Sequence, residues 1–178
     1  KRQVEGRSDR LMAPYCQVCG SITIPQQLDG RSRDVCPACG TIQYAQWKVS
    51  AGVRVVKDGK ILLVKRGNDP YQGTWHMPAG YVEIDEEPAR AAEREALEET
   101  GLIVRAERLV DCYLDTVDPR GNVIILLYEA SIVDGKLCPS EETVEVGFFS
   151  PEEAAGLPLA GMSAEKEIID WLSEIRSR

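Results

Sequence analysis

The stretch Gly80–Leu102, GYVEIDEEPARAAEREALEETGL, decides how the chain is read, and the rest is organised around it. Gly73, Pro78 and Gly80 interrupt the chain just upstream, and the run that follows is rich in Ala, Glu, Arg and Leu, which favour helix over strand. This predicts a helix from about Glu86 to Thr100, closed by Gly101 in the left-handed backbone that ends many helices. Pro88 falls in its first turn, where the missing N–H costs no intrahelical bond. Glu95 stands three residues before Glu98 and four before Glu99, so the carboxylates share one strip, with Glu86 a little over two turns upstream. Ala89, Ala92, Ala96 and Leu97 lie largely on another side and suit packing on a sheet. Like charges so placed repel by about 0.2–0.5 kcal/mol on a solvated helix. A divalent cation turns that repulsion into binding, and a donor set of oxygens alone favours magnesium or manganese over zinc. On the residues alone the strip reads either as a metal site or as the solvated face of an amphipathic helix.

The segment resembles the Nudix box, G-x5-E-x7-R-E-U-x-E-E-x-G-U with U aliphatic. Gly80, Glu86, Arg94, Glu95, Ala96, Glu98, Glu99, Gly101 and Leu102 fill its fixed positions. Ala96 is smaller than the usual aliphatic residue, and in the flanking WHMPAGYVE Ala79 stands where a glycine is common. The resemblance covers about Trp47 to Arg178. It implies an α/β/α sandwich with a mixed sheet. It also implies magnesium- or manganese-dependent hydrolysis of the pyrophosphate bond in a nucleoside diphosphate linked to another moiety. Under it, Glu95 and Glu99 are the first choices for metal ligands, with Glu98 and Glu86 adjacent to them. Arg94 orients the helix carboxylates, and Glu98, then Glu145, is the expected general base. Glu145 lies in SEETVEVGFFS, the region from which the family often brings a further glutamate towards the metals. Glu142 is its runner-up, and a solvated loop is the alternative.

The chain has 178 residues, enough for one sizeable core and a small appendage. Its formal charge of −8 argues against a general nucleic-acid surface, which needs clustered Lys and Arg. No apolar run approaches the roughly 20 residues of a membrane span, and KRQVEGRSDRLMAP has no hydrophobic signal core, so a cytoplasmic protein without membrane contact is expected. Residues 1–13 are polar, without a period, and expected to be mobile. Repeats, a P-loop and a Ser-His-Asp arrangement are absent from the sequence.

Residues 14–46 read as a separate metal module. Cys16 and Cys19 form YCQVCG and Cys36 and Cys39 form VCPACG, with sixteen residues between the pairs. A two-residue gap lets both sulfurs of a knuckle reach one ion, and Gly20 and Gly40 permit the turn after each. Four thiolates then complete a tetrahedron, a zinc ribbon holding structural zinc. Two disulfides are the competing reading, disfavoured because nothing indicates secretion. Cys112 and Cys138 read as packing or loop residues, and the single histidine, His76, as a strand-end residue beside the glutamate helix.

Residues 47–178 form the second domain. Ala51–Val56 and Lys60–Lys65 are strands joined by a tight turn at Asp58-Gly59. Further strands are expected at Leu109–Leu114, Val123–Ala130, the last as a central strand, and from Val144 to Phe149. Ser150, Pro151 and Glu153 spell a capping box, and Ser163 is expected to cap a helix to about Ile175 with a core stripe of Ile168, Trp171, Leu172 and Ile175. Arg66, Tyr71 and Trp75 before the box and Arg120 after it are the substrate-binding candidates. The substrate is expected to be ADP-ribose or a similar ADP-containing diphosphate, since Asp115 and Asp118 in the following loop disfavour a terminal phosphate. FAD or NADH is the alternative, NADH weakened because LVDCYLDTVDPRGN stands where the family's NADH pyrophosphatases carry SQPWPFPxS. RNA decapping and a non-catalytic nucleotide-binding module rank lower. A homodimer, with a partner chain closing the pocket, fits so long a ligand.

Overall fold

Two near-identical knuckles open the described chain. In a computed structural model that describes residues 14–177, the amides of Gly20 and Gly40 donate to the carbonyls of Cys16 and Cys36, both at 2.9 Å. The amides of Cys16 and Cys36 in turn donate to Ser21 and Thr41 at 2.8 and 2.9 Å. The glycines take φ of 72° and 76°, open to glycine at little cost. The knuckles flank an antiparallel sheet of β1 (Ile24–Leu28), β2 (Arg31–Val35) and β3 (Ile42–Gln43) in that order. All four cysteine sulfurs lie within 4.8 Å of one another, with Cys16 and Cys36 buried and Cys19 and Cys39 exposed. Three of the separations are 3.4–3.6 Å, close to the edge of about 3.8 Å for sulfurs 2.3 Å from one zinc. The amides of Cys19 and Val18 lower the Cys16 thiol from its usual range, which favours the thiolate a metal needs. The expected mobility of residues 1–13 lies outside the described residues.

The chain divides into two compact units, this one ending at Gln46 and a larger one running from Trp47. In the larger unit β4 (Lys48–Lys57) and β5 (Lys60–Arg66) form the expected hairpin, Val56 opposite Ile61 and Lys57 opposite Lys60. Short strands β6 (Trp75–His76) and β7 (Ala79–Tyr81) pair with β5 and β4, and α1 (Pro88–Thr100) follows. Then come β8 (Leu102–Asp115), β9 (Val123–Gly135), β10 (Thr143–Phe149), α2 (Pro151–Ala155) and α3 (Gly161–Arg176). The sheet order is β10-β5-β4-β9-β8, with β4 and β9 parallel and the other neighbours antiparallel. β9 is an interior strand as expected. Both β8 and β9 run longer than their apolar cores, because bulges let the pair stay in register from Leu102–Gly135 to Asp115–Val123.

Side-chain alternation splits the core in two. Ala51, Val53, Val55 and Leu62 pack with Ala91, Ala92 and Ala96 of α1 on one face of the sheet. Ile61 and Leu63, one residue out of phase with Leu62, pack with Trp75, Tyr113, Ile168 and Trp171 against α3 on the other. The result is the α/β/α sandwich with a mixed sheet. Arg54, with the opposite phase to Val53 and Val55, is only 2% exposed and makes two hydrogen bonds to Glu174 of α3, at 2.9 and 3.0 Å.

Several local expectations are corrected. α1 begins at Pro88 with Glu87 as its N-cap, so Glu86 lies in the preceding loop, where its carboxylate accepts from the Glu83 amide at 3.0 Å. Gly101 ends the helix as expected, at φ 72° with its amide on the Leu97 carbonyl. Ala91 joins the buried face while Leu97 is largely exposed. The Ser150 capping box forms in full. Ser163 caps nothing: α3 starts at Gly161, and the Ser163 hydroxyl instead donates to Asp115 at 3.2 Å. Ile168 and Trp171 are buried, but Ile175 is exposed. Among the described residues no helix is long and apolar enough to cross a membrane.

Candidate active site

The turn of α1 that buries Ala92 and Ala96 also carries Glu99 inward, to 6% exposure, while Glu95 beside it is half-buried. Both line a cleft of about 310 Å³, together with Arg66 from the end of β5, Tyr71, Arg120 and Glu142. The Ala79 amide donates to Glu99 at 3.0 Å, yet burial dominates and raises the Glu99 carboxyl to about 8, with Glu95 adding to the rise. Burial also raises Glu95, against the pull of Arg94. Gly80 is required here by space. A Cβ on it would run into the Glu95 carboxyl, so only a glycine leaves that carboxyl where it stands.

Arg94 sits outside the cleft and gathers the helix acids. Its guanidinium donates to Glu86 at 2.6 and 3.2 Å, to Glu95 at 2.7 Å, to Glu98 at 3.0 Å and to the Tyr81 carbonyl at 3.0 Å. Glu142 is set by the backbone. Its carbonyl accepts from Gly67 at 2.8 Å, and Thr143 donates to the Glu99 carbonyl at 2.7 Å, tying the start of β10 to the end of α1.

Known families and proteins match most of the chain. The NUDIX domain family matches residues 46–172, and the family described as Nudix N-terminal, a zinc ribbon, matches residues 14–45. The chain belongs to the Nudix hydrolase family. Among Nudix relatives, the ADP-ribose pyrophosphatase of Methanocaldococcus jannaschii is 37% identical over 119 residues, 66% of this chain and 69% of that protein. The NAD-capped RNA hydrolase NudC of Escherichia coli is 25% identical over 164 residues, 92% of this chain but 62% of its own length. A crystal structure of a NUDIX hydrolase from Nitrosomonas europaea covers 93% of both chains at 30% identity, with a TM-score of 0.77.

This Nudix cleft gathers only part of the residues expected from the sequence. Glu95, Glu99, Arg66, Tyr71 and Arg120 line it; Glu86 and Glu98 do not, and both are held by Arg94. Glu98 is 57% exposed. Glu145 is equally exposed and pairs with Lys65 at 3.2 Å, outside the cleft, because a bulge between Thr143 and Glu145 shifts the β10–β5 register. Trp75 is core, edge-on to Phe149 at 4.7 Å between centroids, and does not reach the cleft. Arg120 lies in the cleft but is already bound through Nε and Nη2 to Asp118 at 3.0 and 2.6 Å. Arg66 spends only Nε, on the Pro70 carbonyl at 2.8 Å, and makes no ion pair among the described residues. Asp115 and Asp118 line the cleft, as their expected effect on the substrate requires; Glu83, Ser163 and Glu167 also line it, and these three were not expected as site residues.

Glu95, Glu99 and Glu142 are carboxylates of the cleft that could take a divalent cation; Glu142 adds to the rise of both Glu95 and Glu99, and Glu95 to that of Glu99. Among the described residues only the four cysteines bring three or more donor atoms within 4.8 Å. The glutamates face one cleft without closing to that distance, as mutual repulsion dictates, and a hard cation is the group that would draw them in. The donor chemistry therefore fits magnesium or manganese here and zinc in the ribbon.

Proposed function

We propose that this Nudix hydrolase cleaves the pyrophosphate bond of ADP-ribose or a closely similar ADP-linked diphosphate, with FAD as the runner-up. The observation that carries the reading is the pairing, across one cleft, of the buried Glu95–Glu99 acids with the free guanidinium edge of Arg66. Burial and Arg120 lower the Arg66 pKa from its ordinary value, a strained position that an anionic pyrophosphate would relieve. The similarity to a protein named ADP-ribose pyrophosphatase supports the choice of substrate class.

Glu95 and Glu99 would hold magnesium or manganese, which when bound polarises the pyrophosphate and lowers the pKa of attacking water. Arg66 binds the bridging diphosphate and offsets its charge. Arg94 keeps Glu95 turned to the cleft and leaves Glu98 and Glu86 outside. Glu142, in the cleft and without a side-chain partner among the described residues, is better placed than Glu98 or Glu145 to take the proton from water. The ribbon zinc is structural, because its four positions are all protein sulfur.

The test is a kcat/KM panel of ADP-ribose, FAD, NADH, a dinucleoside polyphosphate and a nucleoside triphosphate, with magnesium and with manganese. An ADP-linked diphosphate should lead and yield AMP; a faster triphosphate would overturn the substrate class. A second expectation concerns Gly80→Ala. The three atoms nearest its Cβ all belong to the end of the Glu95 side chain, a flexible group that can swing aside, so stability should hold within about 1 kcal/mol. Activity should fall roughly a hundredfold, since a ligand displaced by about an ångström is lost to the reaction. Parallel melting curves and rate assays measure both.

A further inference from the structure

Ten polar or charged side chains are buried among the described residues, and of the four charged ones Glu167 alone lacks a partner. Arg54 has Glu174, Thr100 and Thr143 have backbone carbonyls, and Ser163 has Asp115. Asp115 also accepts from the amides of Val117 and Asp118, and Glu99 from that of Ala79. Glu167 is 5% exposed, and its carboxyl makes no hydrogen bond among the described residues. It lies on the buried side of α3, between Ala164 and Ile168, and lines the same cleft as Glu95 and Glu99. A carboxyl that has no partner within the protein and opens only into a cavity leaves its hydrogen bonds to whatever enters that cavity.

The walls beside it suggest what enters. Val123, Ile125 and Ala164 offer apolar surface to a flat ring, and Tyr71 and Asp115 converge on Gly161, the first residue of α3. We propose that the α3 end of the cleft is the nucleobase subsite, and that the Glu167 carboxyl accepts a hydrogen bond from the exocyclic amine of the base. The assignment rests on the reading of the substrate as an ADP-linked compound, whose adenine carries such an amine beside a ring-nitrogen acceptor. Burial, reinforced by Asp115 from β8 and Asp170 from α3, raises the Glu167 carboxyl to about 8. The protonated acid therefore has a carbonyl for the amine and an O–H for the adjacent nitrogen. Apolar walls with one paired polar group at the end fix orientation in most small-molecule sites.

The experiment compares binding of AMP with purine riboside 5′-monophosphate, which lacks only the amine, by calorimetry in magnesium. Neither has a pyrophosphate to cleave, so the result is independent of turnover. Wild type should bind AMP about tenfold tighter, the typical worth of one buried hydrogen bond. Glu167→Leu should bring the ratio close to one, and Glu167→Gln, which keeps an acceptor, should retain most of it. A purely structural Glu167 would shift the melting temperature and leave the ratio unchanged. The assignment fails if wild type binds both equally or binds neither, or if the leucine variant keeps the preference. A wild type that prefers AMP as expected but hydrolyses no ADP-linked compound would instead sink the proposed reaction and leave the subsite standing.

Discussion

Glu99→Gln is expected to lower kcat roughly a thousandfold while the fold survives, because it removes one charged ligand from a site where metal stabilisation is worth several kcal/mol. The amide keeps the size of the side chain, and its oxygen can still accept from the Ala79 amide. A pH effect on stability accompanies the loss. In wild type without magnesium or manganese, burial raises the Glu99 carboxyl from 4.5 to about 8. The folded state then holds its proton more tightly than the unfolded chain. This contribution is complete below about pH 4.5 and is lost as pH rises through about 8, by up to about 5 kcal/mol. Glutamine has no such loss. The variant without added divalent metal should therefore melt above wild type at pH 8 and match it near pH 4.5, and added magnesium should narrow the gap by stabilising wild type alone. Full turnover with unchanged metal dependence in the variant would remove Glu99 from the ligand set.

Cys36→Ser is expected to abolish zinc binding and unfold the ribbon. The described part of this unit buries little besides Cys16, Val35 and Cys36, too small a core to fold without help. Structural zinc supplies on the order of 10–16 kcal/mol to such modules. Elemental analysis should fall from a stoichiometric zinc to none, and amides of β1 and β2 should lose protection from hydrogen exchange. The larger unit has its own two core clusters and should keep its thermal transition. Retained amide protection in a zinc-free variant would show that the metal is dispensable.

What the sequence disclosed was whatever is encoded locally. The end of α1 at Gly101, the Asp58-Gly59 hairpin, the Ser150 capping box and both cysteine knuckles depend on residues a few positions apart, and each is present in the structure. The placement of Glu145 was not legible because one bulge in β10 turns it to Lys65 and leaves Glu142 in the cleft, and a bulge leaves no periodic trace. The packing of Trp75 was not legible because its partner, Phe149, comes from a distant strand. Glu167 did leave a signal: an acid between Ala164, Ile168 and Trp171, at positions that helical spacing assigns to the core. Its meaning needed the cleft, whose α3 end is built where β8, β9 and α3 meet.

The Arg54–Glu174 pair sets where this unit physically stops. The family match ends at residue 172, two positions short of the acid that pairs with a guanidinium buried between the sheet and α3. A fragment cut at that limit would keep every residue of the cleft and strand a buried cation, at a cost of about 3–5 kcal/mol, comparable to the whole stability of many domains. The minimal foldable piece is thus longer than the minimal recognisable one, and the last turn of α3 belongs to the electrostatics of β4.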